Sequence, residues 1–135
     1  MNDFNASIIE EFRANAGKVG GPFEGVQIVL LHTTGAKSGG DRVAPLASRT
    51  DGGRLIVFGS KAGAPTHPDW YHNLLANPSV TVEVGSETYA ATATVLEGAE
   101  RDRIYADQVA DIPTFGEYQE QAGDRIIPVV ALTRV

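Results

Sequence analysis

Cysteine is absent from the 135 residues of this chain. Its absence excludes disulfides, thiolate catalysis, iron–sulfur ligation and zinc sites built from cysteine. Histidine is scarce as well: His32, His67 and His72 are the only three, and no carboxylate at a suitable spacing completes a metal set, so we predict no metal site. Any redox chemistry on such a chain depends on a bound organic cofactor.

Long hydrophobic runs and an excess of positive charge are also missing. No apolar run approaches the roughly 20 residues that cross a bilayer, and the first residues, 1–4, lack the basic-then-apolar pattern of a signal peptide. The net charge of −6 argues against general affinity for nucleic acids or anionic membranes. We therefore expect a cytoplasmic protein with no nucleic-acid partner and no stable membrane insertion.

The positive charge that is present is concentrated in one part of the chain. Between residues 25 and 68 there are five basic residues and two acidic ones, a local net charge of +3. A cationic region in an acidic protein suits a specific anionic ligand, although clustering by chance gives the same count.

Two segments within this region are rich in glycine and hydroxyl side chains. The first glycine-rich segment, residues 33–42, reads TTGAKSGGDR, and the second, residues 59–65, reads GSKAGAP. Backbone N–H groups in tight turns and nearby cations favour phosphate or carboxylate oxygens; two ordinary turns are the simpler alternative. The first segment is not a nucleotide-binding P-loop, because the earlier glycine is missing and a strand follows instead of a helix.

Each segment supplies candidate ligand contacts. Lys37 and Arg42 are the cations of the first, and Ser38 and the Gly39 amide are its neutral donors. In the second, Ser60 and Lys61 are neighbours on what we take to be a strand, so their side chains point apart and do not form a nucleophile–base pair. Donor roles fit them better.

Two helices present faces that are either core or ligand groove. Trp70, Asn73 and Leu74 share one face of the first, and Phe115 and Tyr118 share one face of the second. Core packing is the default for both. In the alternative, Trp70 and Asn73 line a groove that the aromatic pair covers.

The pattern of elements indicates a mainly β, α+β fold in a single domain of residues 1–135: a small, closed or nearly closed barrel of five to six antiparallel strands. Proline at position 45 predicts an edge position or a bulge. The predicted strands are 26–32, 42–48, 54–58, 81–84, 87–95 and 125–134; the predicted helices are a short amphipathic one at the N-terminus, 66–77, 97–110 and 115–121.

With these motifs in place, the chain resembles the deazaflavin-dependent nitroreductase family over about residues 20–128. The resemblance rests on LHTTGAKSG at 31–39, Arg42 with Pro45, SKAGA at 60–64, HPDWYHNL at 67–74 and DRIIP at 124–128. It implies an FMN-binding split-barrel-like fold and coenzyme F420, a deazaflavin with a phosphodiester and an acidic tail. It further implies hydride transfer to a quinone, a nitro compound or an enone.

The resemblance also implies site residues. The cofactor-binding positions are Lys37, Ser38, Gly39, Arg42, Pro45, Ser60, Lys61, Gly63, Ala64, Trp70 and Asn73. On the acceptor side, Tyr118 and Ser60 are the catalytic candidates, with Tyr118 as proton donor. Three alternatives remain open: an FMN-dependent enzyme of the same superfamily, a deazaflavin-binding protein without turnover, and a plain structural module. A homodimer is compatible with all of these.

Overall fold

A computed structural model describes residues 3–23 and 26–135 of the chain. Its six strands are β1 (Gln27–Thr34), β2 (Asp41–Asp51), β3 (Arg54–Phe58), β4 (Ser79–Val84), β5 (Glu87–Leu96) and β6 (Val129–Arg134). All neighbouring pairs are antiparallel, and the strands close into a barrel in the order β1-β2-β3-β6-β5-β4. The predicted small barrel of the α+β class is confirmed. The single-domain prediction stays a prediction, and it includes residues 1, 2, 24 and 25, which lie outside the described residues.

Four α-helices accompany the barrel: α1 (Asp3–Ala14), α2 (Asp69–Ala76), α3 (Gly98–Asp111) and α4 (Thr114–Gln121). Three predicted boundaries are wrong by three residues or more, and one of them is the end of β2, predicted at Ser48 and found at Asp51. The start of α2 is predicted at Thr66, but Pro68 has an extended conformation and is the N-cap of this helix, so α2 starts at Asp69. The last strand begins at Val129 and not at Arg125, because residues 125–128 run outside the sheet.

The buried residues that the structure describes form three clusters, and side-chain alternation along the strands separates the cluster inside the barrel from the two outside it. On β3, Leu55 and Val57 face the barrel interior, where they pack with Trp70 and Leu74 of α2. The alternate residues of β3 and β6 pack outside the barrel under α3 and α4. This outer cluster contains Ile56, Phe58, Ile104, Tyr105, Phe115, Ile127, Val129 and Ala131.

The long strand β2 extends well beyond its neighbour β3. It pairs with β1 from Asp41 to Ser48, whereas β3 pairs only with residues 48–51. Residues 41–47, roughly 20 Å of strand at about 3.3 Å per residue, therefore have one strand partner. Pro45 lies in this stretch opposite Leu30 and has a strand on one side only, which agrees with its predicted edge position.

Helix α1 is fixed to the barrel by an apolar face and by charge. Ile8, Ile9 and Phe12 are buried, as the amphipathic pattern predicts, and Arg13 donates two hydrogen bonds to the Glu83 carboxylate of β4, at 3.2 and 2.8 Å. That guanidinium keeps the pKa of Glu83 below its ordinary value. Among the helices of the described residues, none has the length and apolar character needed to cross a membrane. The predicted cytoplasmic location stays a prediction.

Candidate functional site

The first glycine-rich segment forms a compact turn between β1 and β2. The Gly35 amide donates to the Gly40 carbonyl at 2.7 Å, and the Gly39 amide donates to the Gly35 carbonyl at 2.8 Å. The Ser38 hydroxyl oxygen accepts from Arg42 Nη2 at 3.1 Å. The Gly39 amide is therefore engaged within the turn, contrary to the expectation that it is a donor to a ligand. The amides of Lys37 and Ser38 have no partner in the described part of the chain.

Asn73 of α2 braces this turn. Its carboxamide oxygen accepts from the Ala36 amide at 3.0 Å, and its Nδ2 donates to the Thr33 hydroxyl at 3.1 Å. Asn73 is buried, and both ends of its amide are used in these contacts. The structure thus gives Asn73 a clear part in holding the first segment against α2.

The cationic region separates into paired and unpaired residues. Arg49 pairs with Asp111, and Arg54 pairs with Asp51 and Glu100. Within residues 3–23 and 26–135, no carboxylate lies within ion-pair distance of three exposed cations, which are Lys37, Arg42 and Lys61. Their charge is available to an anionic ligand.

The second glycine-rich segment leaves the barrel after β3 and adopts a left-handed backbone. Lys61, Ala62 and Gly63 have φ of +46°, +52° and +81°, a region that residues with a Cβ adopt at a cost. The premise that residues 60 and 61 lie on a strand is therefore wrong, because β3 ends at Phe58. Lys61 Nζ donates to the Thr66 hydroxyl at 3.1 Å, so the conclusion that it is not a base for Ser60 still holds.

Helix α4 packs directly on the second segment. A Cβ at Gly63 would lie 2.8 Å from Gln121 Cβ and 3.0 Å from the Tyr118 carbonyl oxygen, so only glycine permits this approach. The Tyr118 side chain is half-buried, and its ring centroid is 5.4 Å from that of Phe115. Phe115 is buried against Phe58. Phe115 is thus a core residue, and the predicted covering pair reduces to Tyr118.

Arg125 is the residue for which sequence reasoning found no role. It lies in the irregular stretch before β6, and its guanidinium donates to the carbonyls of Gly59, Ser60 and Ala64 at 2.8, 2.7 and 2.9 Å. It belongs to the DRIIP motif of residues 124–128, but the pattern alone does not show what the arginine contacts. Burial lowers its pKa from the ordinary value.

His67 contacts Arg125 and lies near a second histidine, His72. His67 Nδ1 lies 3.1 Å from Arg125 Nη1, and because a guanidinium only donates, this nitrogen is the acceptor. The His67 ring is 6.0 Å from that of His72 and 4.8 Å from that of Tyr71. Among the described residues, no group of three or more potential ligands could hold a metal ion.

The His67 contact makes stability dependent on pH. Burial lowers the pKa of His67, and the charges of Arg125 and His72 add to this effect. The unfolded chain therefore binds a proton more readily than the folded one, and we expect the free energy of unfolding to fall as the pH drops below about 6.5. Urea unfolding at pH 7.5 and 5.5 measures this loss. His67→Asn, which keeps a neutral acceptor, should lose less between the two pH values; an equal loss contradicts the assignment.

The fold brings the two glycine-rich segments to one end of the barrel. β1 and β3 run in the same direction, so the segments that follow them leave from the same end. Helix α2 follows the second segment and is bonded to the first through Asn73. Trp70 is 7% exposed and belongs to the barrel core. At Trp70, therefore, this helix face packs in the core, which is the default interpretation of the sequence.

Sequence comparison relates the chain to a defined group of enzymes. The family model described as F420H(2)-dependent quinone reductase matches residues 7–134. An F420H(2)-dependent quinone reductase of Mycobacterium tuberculosis is 36% identical over 126 residues, covering 91% of this chain and 85% of the relative. A putative F420H(2)-dependent quinone reductase of the same organism is 36% identical over 107 residues, covering 79% and 89%.

Structural comparison agrees with the sequence comparison. The structure of an F420-H2 dependent reductase superimposes with a TM-score of 0.70 at 43% identity, covering 78% of this chain and 92% of that one. A relative described as a domain-swapped dimer gives a TM-score of 0.72 at 36% identity, covering 94% of both chains. A putative pyridoxamine 5'-phosphate oxidase from Listeria innocua, at 16% identity and a TM-score of 0.57, shares the split-barrel fold.

Proposed function

Since the chain belongs to the F420H(2)-dependent quinone reductase family, we propose that it reduces a quinone with F420, using the two glycine-rich segments to hold the cofactor. It is an F420-dependent reductase. The observation that carries the residue assignment is that three exposed cations of residues 26–68, namely Lys37, Arg42 and Lys61, have no acidic partner among the described residues.

The donors of the first segment fit an anionic cofactor. The amides of Lys37 and Ser38 and the ammonium of Lys37 have no partner among the described residues, and all of them can donate to phosphate or carboxylate oxygens. Arg42 retains donors beyond its bond to Ser38. Gly39, with open space around its Cα, permits close approach. When bound, F420H2 supplies the hydride, so this chain has to bind, orient and exclude water.

The second segment and α4 form the other wall of the proposed site. Ser60, Lys61, Gly63 and Ala64 lie on the segment that contacts α4 at Gly63, and we assign them to the cofactor's ring and side chain. Pro45, on the exposed edge of β2, completes the cofactor contacts. Trp70 and Asn73 support the site from α2; Asn73 does so by fixing the first segment.

The test of the cofactor assignment is a fluorescence titration with oxidised F420, with flavin mononucleotide titrated in parallel. We expect micromolar, salt-sensitive binding of F420 and none of the flavin. Binding of the flavin alone would favour an FMN-dependent enzyme. Binding of F420 without reduction of any acceptor would favour a cofactor-binding protein.

Tyr118 is the proposed proton donor on the acceptor side, with Ser60 as a hydrogen-bond donor to the acceptor. Tyr118→Phe removes only the hydroxyl, and the ring contact with Phe115 is kept. We expect kcat to fall about 10²-fold or more, as for loss of a general acid, with the F420 Kd unchanged. Steady-state kinetics and titration separate the two effects. A kcat equal to that of the wild type removes Tyr118 from this role.

The acceptors we propose are quinones first, then nitro compounds and enones. A panel of one acceptor from each class, assayed at a fixed F420H2 concentration, ranks them. We also propose that the chain forms a homodimer, supported by the relative that is a domain-swapped dimer and by the unpaired edge of β2. Light scattering of the purified protein gives the mass that decides this.

A further inference from the structure

The Arg125 guanidinium makes an unusual set of contacts. Four acceptors surround it, the carbonyls of Gly59, Ser60 and Ala64 and the Nδ1 atom of His67. A guanidinium carries five N–H donors, so nearly all are used by neutral acceptors. In the described part of the chain no carboxylate lies within ion-pair distance of Arg125. Its positive charge is therefore not neutralised.

Three of these acceptors lie near the two ends of the second glycine-rich segment. Gly59 and Ser60 open the segment and Ala64 precedes its last residue, Pro65, so one planar group fixes the separation of its two ends. Between them, Lys61 and Ala62 have positive φ, a conformation that persists only where the surroundings hold it. The direct links from the segment to its surroundings include the Arg125 bonds, the bond from the Gly59 amide to the Pro128 carbonyl at 2.9 Å, the Lys61–Thr66 bond and the contact with α4.

We propose that Arg125 is a positioning residue: it holds the second glycine-rich segment in the conformation that binds F420, without contacting the cofactor itself. This inference rests on the proposed function. Its geometric part is independent of the cofactor, because the bonds to the segment exist in the protein alone. The uncompensated charge behind the segment also adds to the attraction for an anionic cofactor.

Lysine cannot replace arginine in this role. An ammonium is a compact charge on a flexible stem, whereas the guanidinium presents donors in a fixed planar fork. Arg125→Lys keeps the charge and loses the fork, and Arg125→Gln loses both. Arg49→Lys is the matched control, since Arg49 is also half-buried but binds Gln108 and Asp111 of α3.

The experiment measures amide hydrogen exchange in the protein without cofactor. The Gly63 and Ala64 amides are bonded within the segment, to the carbonyls of Ser60 and Lys61 at 2.9 and 3.0 Å. We expect their exchange to accelerate at least tenfold in Arg125→Lys relative to Val130 of the barrel, and not to change in Arg49→Lys. Using the ratio to Val130 separates local loosening from a general loss of stability.

The second measurement is the F420 Kd of the wild type, of Arg125→Lys and of Arg49→Lys. We expect it to rise at least tenfold in Arg125→Lys and less than twofold in Arg49→Lys. Unchanged exchange of Gly63 and Ala64 overturns the positioning role. Faster exchange with an unchanged Kd overturns its link to the cofactor. If the wild type fails to bind F420, the proposed function falls, and the exchange data still decide whether Arg125 orders the segment. If Arg125→Gln does not fold, Arg125→Lys carries the test.

Discussion

Gly63→Ala should lower the free energy of unfolding by about 2–5 kcal/mol. About 1–2 kcal/mol comes from placing a Cβ on a left-handed residue, here at φ +81°. A further 1–3 kcal/mol is typical of overpacking, because the new methyl would lie 2.8 Å from Gln121 Cβ and 3.0 Å from the Tyr118 carbonyl oxygen. Urea unfolding measures the total.

The control for this change is Gly52→Ala in the turn between β2 and β3. Gly52 also has a positive φ, +57°, but nothing lies within 4 Å of a Cβ added there. It should therefore show the backbone cost alone. Equal losses in the two variants would mean that α4 does not press on the second segment. F420 titration of Gly63→Ala should also show weaker binding, since α4 or the segment has to move.

Lys37→Ala should weaken F420 binding by roughly 10- to 150-fold. A charge-assisted hydrogen bond is worth about 1.5–3 kcal/mol, and each 1.4 kcal/mol changes Kd about tenfold. Lys37 is exposed and has no acidic partner in the part of the chain that the structure describes, so its removal breaks no internal contact. Fluorescence titration at low salt gives the Kd.

Lys18→Ala is the matched control, since Lys18 is an exposed lysine in the connection after α1, away from both glycine-rich segments. We expect its Kd to match that of the wild type. Raising the salt concentration should weaken wild-type binding more than Lys37→Ala binding, because screening acts on the charge that the variant has lost. A Kd in Lys37→Ala equal to that of the wild type would make the first segment an ordinary turn.

The sequence predicted the barrel because its signals are local. Strands are indicated by the alternation of side chains in β4 and β5 and by the β-branched run of β1, and the Gly52-Gly53 turn indicates a hairpin. Each of these signals is complete without reference to the rest of the chain. The errors fall where tertiary contacts decide. Residues 126–128 carry apolar side chains, as a strand would. The Arg125 guanidinium, however, is bonded to the second segment, and the backbone of residues 125–128 runs outside the sheet.

For the same reason, the candidate site could be predicted only in part from the sequence. The two segments can be recognised in the sequence by their glycines and lysines, because a turn and an exposed cation depend on few distant residues. The brace by Asn73 and the clamp by Arg125 join residues that are 37 and 61–66 positions apart. No periodicity encodes such contacts. Phe115 and Tyr118 share a helical face, but only the packing of Phe58 and Tyr105 shows that Phe115 is buried.

The strand order has a consequence for how the chain folds. β6 lies between β3 and β5, so its residues, 129–134, pair with partners at positions 55–58 and 91–96, the former more than 70 residues earlier. During synthesis, β3 and β5 therefore each keep one edge unpaired until residues 129–134 have left the ribosome. Such distant pairings make barrel folding slow, on the order of milliseconds to seconds. In that interval the exposed edges are open to pairing with another nascent chain.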